Sequence, residues 1–187
     1  MNEKILNPRF IFITITILLA ALTRLLPHPP NFAPIAAIAL LGGALYSNRV
    51  LAFVVPFAAM LISDAIIGFH NTMGSVYMAF GLIVIIGFTM RNNMKASSVI
   101  LASLTSSILF FLITNFSVWY GSTFYSQDVT GLVTCYASAL PFYSNSLFGS
   151  FFLNTILGDL FFSGLLFGLY YIAQLNFPKL KPIPVKK

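Results

Sequence analysis

Four side chains sit where apolar sequence surrounds them: Arg24, Asp64, Asn115 and Asp159. A charge at the centre of a bilayer costs about 2.5–3.5 kcal/mol on insertion scales, so such groups are paired or face a cavity. Their depths agree. Arg24 lies about 15 residues beyond Arg9, Asp64 about 15 beyond Arg49, and Asp159 about 18 before Phe177. At 1.5 Å per residue these are roughly 22, 22 and 27 Å from one edge, in the outer half of a core about 30 Å thick. One guanidinium and two carboxylates at one height can hold a zwitterionic or heterocyclic solute. Arg24 would bind its anionic group, and Asp64 and Asp159 a cationic or hydroxylated one. Asn115 would add a hydrogen bond and Trp119 stacking. His28 and Asn31 would sit on a lid, with His70 at or above the same level. The same groups can instead clamp helices together, or relay protons through Asp64, His70 and Asp159.

Other chemistries find no support. His28 and His70 have no metal-ligand spacing, and there is no nucleophile elbow, P-loop or zinc-protease motif. We therefore expect no catalytic residues, no cofactor and no metal. The single Cys135 excludes an intrachain disulfide framework. The net charge of +6 is spread in short basic clusters between apolar runs, which writes topology and not nucleic-acid binding.

The elements that position these groups follow from composition. The 187 residues are 58% hydrophobic and 7% charged, with a mean hydropathy of +0.91. Soluble domains are about 25% charged, so this is an all-α integral membrane protein. Asn7-Pro8 reads as a helix start, and residues 10–26 read as a retained first helix and not as a cleaved signal. Pro27, Pro29 and Pro30 end it. The apolar run at 35–47 is too short to span alone and is rich in alanine and glycine, which lets helices approach closely. Further helices are expected at about 50–69, 75–90, 96–117 and 146–175, with Pro56 a kink inside the third. An apolar piece at about 129–140, ended by Pro141, reads as a half-helix or re-entrant segment. Gly164-x-x-x-Gly168 offers the last helix a close-packing face.

The expected architecture is thus one domain of six transmembrane helices with a Pro-rich first outer loop. With six crossings, Lys4, Arg9, Arg49, Arg91, Lys95 and the four lysines of the tail share one side, and Arg24 falls near the other. The positive-inside rule places both termini in the cytoplasm. Trp119, Tyr120, Tyr125 and Tyr143 then lie at the outer interface, and Phe32, Phe116 and Phe142 near the pocket. The segment Arg24–Pro34 becomes its roof.

The strings Leu25-Leu-Pro-His-Pro-Pro-Asn-Phe-Ala-Pro34, Gly42-Gly43, Ser63-Asp64, Thr114-Asn-Phe-Ser-Val-Trp119, Leu140-Pro-Phe142 and Asn154–Asp159 resemble a family of small bacterial membrane proteins of unassigned function. That family in turn resembles the substrate-binding (S) components of energy-coupling factor (ECF) transporters. The resemblance implies six helices in the bacterial cytoplasmic (inner) membrane and uptake of a vitamin-like solute. It also implies a membrane scaffold partner and two ATPase subunits. S components often carry Ala-x-x-x-Ala on the first helix for scaffold docking. Here that helix offers Ala20-Ala21, and Ala33-x-x-x-Ala37 belongs to the second. The alternatives are an assembly subunit without a ligand, or a stand-alone proton-coupled transporter using Asp64 and Asp159.

Overall fold

The computed structural model of the chain describes residues 7–140 and 150–181, and among them every α or β element is a helix. Helix α1 spans Pro8–Leu22 and continues as a 3-10 turn, Thr23–Leu25. It is followed by α2 (Ile35–Leu45), α3 (Arg49–Ile67), α4 (Met73–Thr89), α5 (Ala96–Gly121), α6 (Val129–Ser138) and α7 (Phe151–Asn176). Four segments are long and apolar enough to cross a bilayer: Pro8–Leu25, Arg49–Ile67, Ala96–Gly121 and Phe151–Asn176. Ile11, Ile15 and Leu19 of α1, and Leu61, Ile62 and Ile66 of α3, point outward. An apolar exterior of this kind fits a multi-pass membrane protein.

Local chemistry sets the starts. Asn7 accepts from the Phe10 amide at 2.8 Å ahead of Pro8. Asn48 accepts from Val50 at 2.8 Å to open α3, and Ser150 from Leu153 at 3.0 Å to open α7. Each satisfies an amide that the first turn leaves without a partner. Helix α5 runs four residues past the expected end at 117, to Gly121. No proline or glycine interrupts it before then, and Trp119 therefore belongs to a helix. The start expected at 146, and Pro141, Phe142, Tyr143, Lys4 and the tail lysines beyond Lys181, lie outside the described residues.

The core is α2. Every residue from Ala36 to Leu45 is buried, with α1, α3, α4, α5 and α7 in contact around it. Small residues make this possible. Gly43 and Gly87 let α2 and α4 meet backbone to backbone: a Cβ on Gly87 would lie 2.6 Å from the Leu40 carbonyl oxygen. At the end of α2, Arg91 donates to the carbonyls of Gly43 at 2.9 Å and Tyr46 at 2.7 Å, groups the helix end would otherwise leave open. Arg9 donates to the Tyr170 hydroxyl at 3.0 Å, which donates to the Leu180 carbonyl at 2.9 Å.

The alanine pairs do not face outward. Ala20, Ala21, Ala33 and Ala37 are all buried inside the bundle. Gly164 and Gly168, expected to bring a helix close, have nothing within 4 Å of an added Cβ. No helix among the described residues packs on that face.

Helix α6 folds back on α5. The Tyr136 hydroxyl donates to the Leu112 carbonyl at 2.6 Å, and Cys135 Sγ lies 3.5 Å from the Asn115 carbonyl. Asp128 caps α6, accepting from Gly131 N–H at 2.7 Å and the Ser126 hydroxyl at 2.8 Å. These two donors hold the Asp128 carboxyl below the ordinary carboxylate range. A lowered folded-state value means the cap contributes fully above the ordinary range, near pH 4. It is lost as pH falls through the lowered value. The Gly131 amide, corrected for its intrinsic exchange rate, should therefore lose protection below about pH 4, whereas Asp128→Asn protein should show no such step.

Candidate functional site

The Pro-rich stretch is a roof with fixed geometry. The Phe32 amide bonds back to the Pro29 carbonyl at 3.0 Å. Asn31 takes a left-handed φ of 63°. Proline followed by a positive-φ asparagine at the two central positions is the chemistry of a type II turn. Three contacts fasten this turn to α7. Asn154 Nδ2 donates to the Pro30 carbonyl at 2.8 Å. Phe32 packs on Phe161 and Phe162, with ring centroids 5.8 and 5.6 Å away. Gly158 has no side chain to intrude, and a Cβ there would lie 3.1 Å from Phe32 Cα. Asn154→Ala should therefore cost about 1 kcal/mol and raise the rate of proteolysis within 27–34. An unchanged rate would show that the turn is held by other means.

Under the roof lies an ion-pair network. Arg24, in the 3-10 turn after α1, places Nη2 2.7 Å from Asp64 Oδ1, with the two side chains 10% and 4% exposed. Its Nη1 bonds the Ser63 hydroxyl and lies 3.4 Å from Met60 Sδ. The Tyr77 hydroxyl, from the first turns of α4, donates to Asp64 Oδ2 at 2.8 Å. Both carboxylate oxygens thus have partners, which is what a buried charge needs to avoid a large desolvation loss.

Asp159 is held separately. Its Oδ2 accepts from Ser107 Oγ at 2.7 Å, and its carboxylate lies near enough to the backbone N–H of Ala36 to act on it electrostatically. Ala36 is in the first turn of α2, whose N-cap, Pro34, provides no side-chain bond. Asp159 therefore faces the uncapped start of α2 from another helix, where the positive end of the helix dipole favours an anion.

A cavity of about 410 Å³ opens beneath the roof, within the range of small-molecule sites. Five of the eight sequence-predicted residues line it: Arg24, His28, Asn31, His70 and Asn115. His28 Nδ1 donates to the Leu26 carbonyl at 2.6 Å, so Nε2 is left for another partner. His70 Nδ1 lies 3.0 Å from Thr72 Oγ1. Asn115 Nδ2 donates to the Phe111 carbonyl at 2.8 Å, which leaves its amide oxygen to accept. A chamber of about 30 Å³ adjoins the cavity, shares Asn31, Phe110 and Thr155 with it, and reaches Asp159. It has room for about one water.

The other three stand apart from the main cavity. Asp64 lies behind Arg24, and Asp159 meets only the small chamber. Trp119, in the last turn of α5, braces the α5–α6 connection, donating through Nε1 to the Ser126 carbonyl at 2.9 Å. Phe32 and Phe116 are absent from the lining, and Phe116 stacks on Tyr120. The apolar wall comes from Phe110, Phe111, Val118 and Val76.

Sequence reasoning missed Tyr77, Ser107 and the roof bond of Asn154. Tyr77 carries no local signal, because only the meeting of α3 and α4 brings it to Asp64. Ser107 could have been found: Ser103, Ser106 and Ser107 repeat at helical spacing and all are buried. Among the described residues no three His, Cys, Asp or Glu side chains come together as a metal site.

A family model described as a family of unknown function (DUF6580) matches residues 4–180. No curated protein and no solved structure matches the chain.

Proposed function

The chain belongs to that family of unknown function, and from this premise we propose that it is a solute-binding membrane component of an uptake transporter. In this reading the bundle has six crossings: α1 to α5 and α7. The cavity faces outward, and α6 is a re-entrant or half-helix beside it. Support for the orientation comes from charge. Arg9 and Arg49 lie close enough to Arg91 to act on it electrostatically, whereas Arg24 sits at the far end of its helix. A basic cluster at one end marks the cytoplasmic side.

The observation that carries the reading is the cavity of about 410 Å³ under the fastened Pro-rich turn, with Arg24 in its wall. Its wall combines a guanidinium and two histidine rings with an apolar face, a mix suited to holding a small solute. An S-component-like role adds a scaffold and two ATPases as partners. The buried alanines leave a scaffold to dock on some other face.

The test is a thermal-shift screen of the detergent-purified protein against vitamins, nucleobases and their precursors. A true ligand at 100 times its Kd should add about 2.7 kcal/mol of stability. No shift from any solute would count against binding.

A second reading has its own support: Ser63, Asp64, Tyr77 and Arg24 form a closed set of bonds, as a structural clamp would. It predicts that Tyr77→Phe lowers stability by about 1 kcal/mol with no solute shifting the melting point. A proton-coupled transporter finds less support, since Asp64 and Asp159 are each enclosed by partners and share none.

A further inference from the structure

We propose that the cavity takes a small aromatic or heterocyclic carboxylate, in place of the zwitterion that the residue types alone imply. The inference rests on the solute-binding reading and narrows it to a chemical class. The sequence supplies two acids for a cationic group, but neither is available. Among the described residues, no carboxylate lines the main cavity. Asp64 already meets Arg24 Nη2 at 2.7 Å and the Tyr77 hydroxyl at 2.8 Å. Asp159 accepts from Ser107 at 2.7 Å and faces the start of α2. The chamber above it, about 30 Å³, admits a water but not an ammonium-bearing solute. A buried cation with no carboxylate to meet would lose its hydration uncompensated.

The donors point the other way. Arg24 has five N–H groups. Nη1 goes to Ser63 and Met60 and one Nη2 hydrogen to Asp64, while Nε has no partner among the described residues. Asp64 holds the guanidinium in place, as outer partners orient binding groups. His28 and His70 add two rings on the same cavity. The N-cap Thr72 of α4 also borders it, and that helix has no side-chain cap. Its amide end favours an anion, whereas the start of α2 already faces Asp159. Phe110, Phe111 and Val118 line the same cavity, an apolar surface that suits a flat ring. Thr114 and Thr155 also line the cavity, but their hydroxyls donate to the Phe110 and Phe151 carbonyls, so with the Asn115 amide oxygen they are left to accept from a ring N–H.

The test uses matched triads on the full chain in detergent: benzoate, benzamide and benzylamine, and the corresponding acid, amide and amine of pyridine and indole. The expected result is a saturable rise in melting point with at least one carboxylate, and none with its amine. In Arg24→Lys protein, which keeps a cation beside Asp64 but loses the guanidinium, the carboxylate should bind about tenfold more weakly. A rise confined to amines or amides overturns the carboxylate assignment and leaves the solute-binding reading standing. So does carboxylate binding that Arg24→Lys and rising salt leave unaltered. No rise with any triad also overturns it, and the wider solute screen then decides the broader reading separately.

Discussion

Asp64→Ala should destabilise the purified protein by about 3–5 kcal/mol, the range for removing one partner of a buried ion pair. The variant leaves the Arg24 guanidinium, 10% exposed, facing a void where its counter-charge stood. It also leaves the Tyr77 hydroxyl without its acceptor. Arg24→Ala should cost a similar amount for the converse reason. The informative variant is the triple change Arg24→Met, Asp64→Leu and Tyr77→Phe, which removes the ion pair and its tyrosine partner together and leaves Ser63 donating to the Met60 carbonyl. Replacing a complete buried pair by apolar groups of similar volume is often neutral or stabilising, so the triple variant should regain most of the loss. Denaturant or thermal unfolding in one detergent measures all three. A triple variant as unstable as Asp64→Ala would mean that the network does more than compensate its own burial.

The second large effect is expected at the crossing of α2 and α4. A Cβ on Gly43 would lie against the Val84 carbonyl and 2.9 Å from Gly87 Cα, and one on Gly87 would lie 2.6 Å from the Leu40 carbonyl oxygen. These neighbours are backbone, so no rotamer change relieves the overlap and the helices must separate. Overpacking of this kind costs about 1–3 kcal/mol, and Gly43→Ala and Gly87→Ala should each fall at or above that range. Gly164→Ala and Gly168→Ala are the controls. Among the described residues nothing lies within 4 Å of either added Cβ, and alanine favours a helix over glycine by about 1 kcal/mol. These two should be neutral or stabilising. Equal losses at all four positions would show that the glycines of α7 also pack against something.

This contrast shows what the residues alone could tell. Helix starts were legible because they depend on neighbours in sequence, as at Asn7-Pro8 and in the run of small residues from Ala36 to Ala44. The Gly-x-x-x-Gly pattern of α7 looked like a packing face, yet the close approach occurs at Gly43 and Gly87, which form no such pattern with each other. Spacing within one helix cannot show which of its faces meets another helix. The same limit applied to the acids. Helical rise placed Arg24 and Asp64 at one depth, and they do meet. It gave Asp159 a similar depth but not its direction, and Asp159 turns to Ser107 and the open end of α2. Trp119 is expected to stack on a solute; it lies in the last turn of α5, which continues to Gly121, and its indole bonds the Ser126 carbonyl instead. His28 and Asn31 were legible as cavity-lining residues through their place in the Pro-rich break, where a chain between apolar helices has to line a cavity, and His70 through its level alone.

The central claim is that the roofed cavity binds a small solute, and one titration tests it most directly. The solute giving the largest thermal shift is titrated calorimetrically into the wild-type protein and into Val118→Trp protein. That substitution fills the cavity from a half-buried position on α5, away from the ion pair. The account predicts saturable binding at one site per chain for the wild type, and affinity at least a hundredfold weaker, about 2.7 kcal/mol, in a variant that remains folded. Equal affinity in the two proteins would place the solute elsewhere and contradict the account.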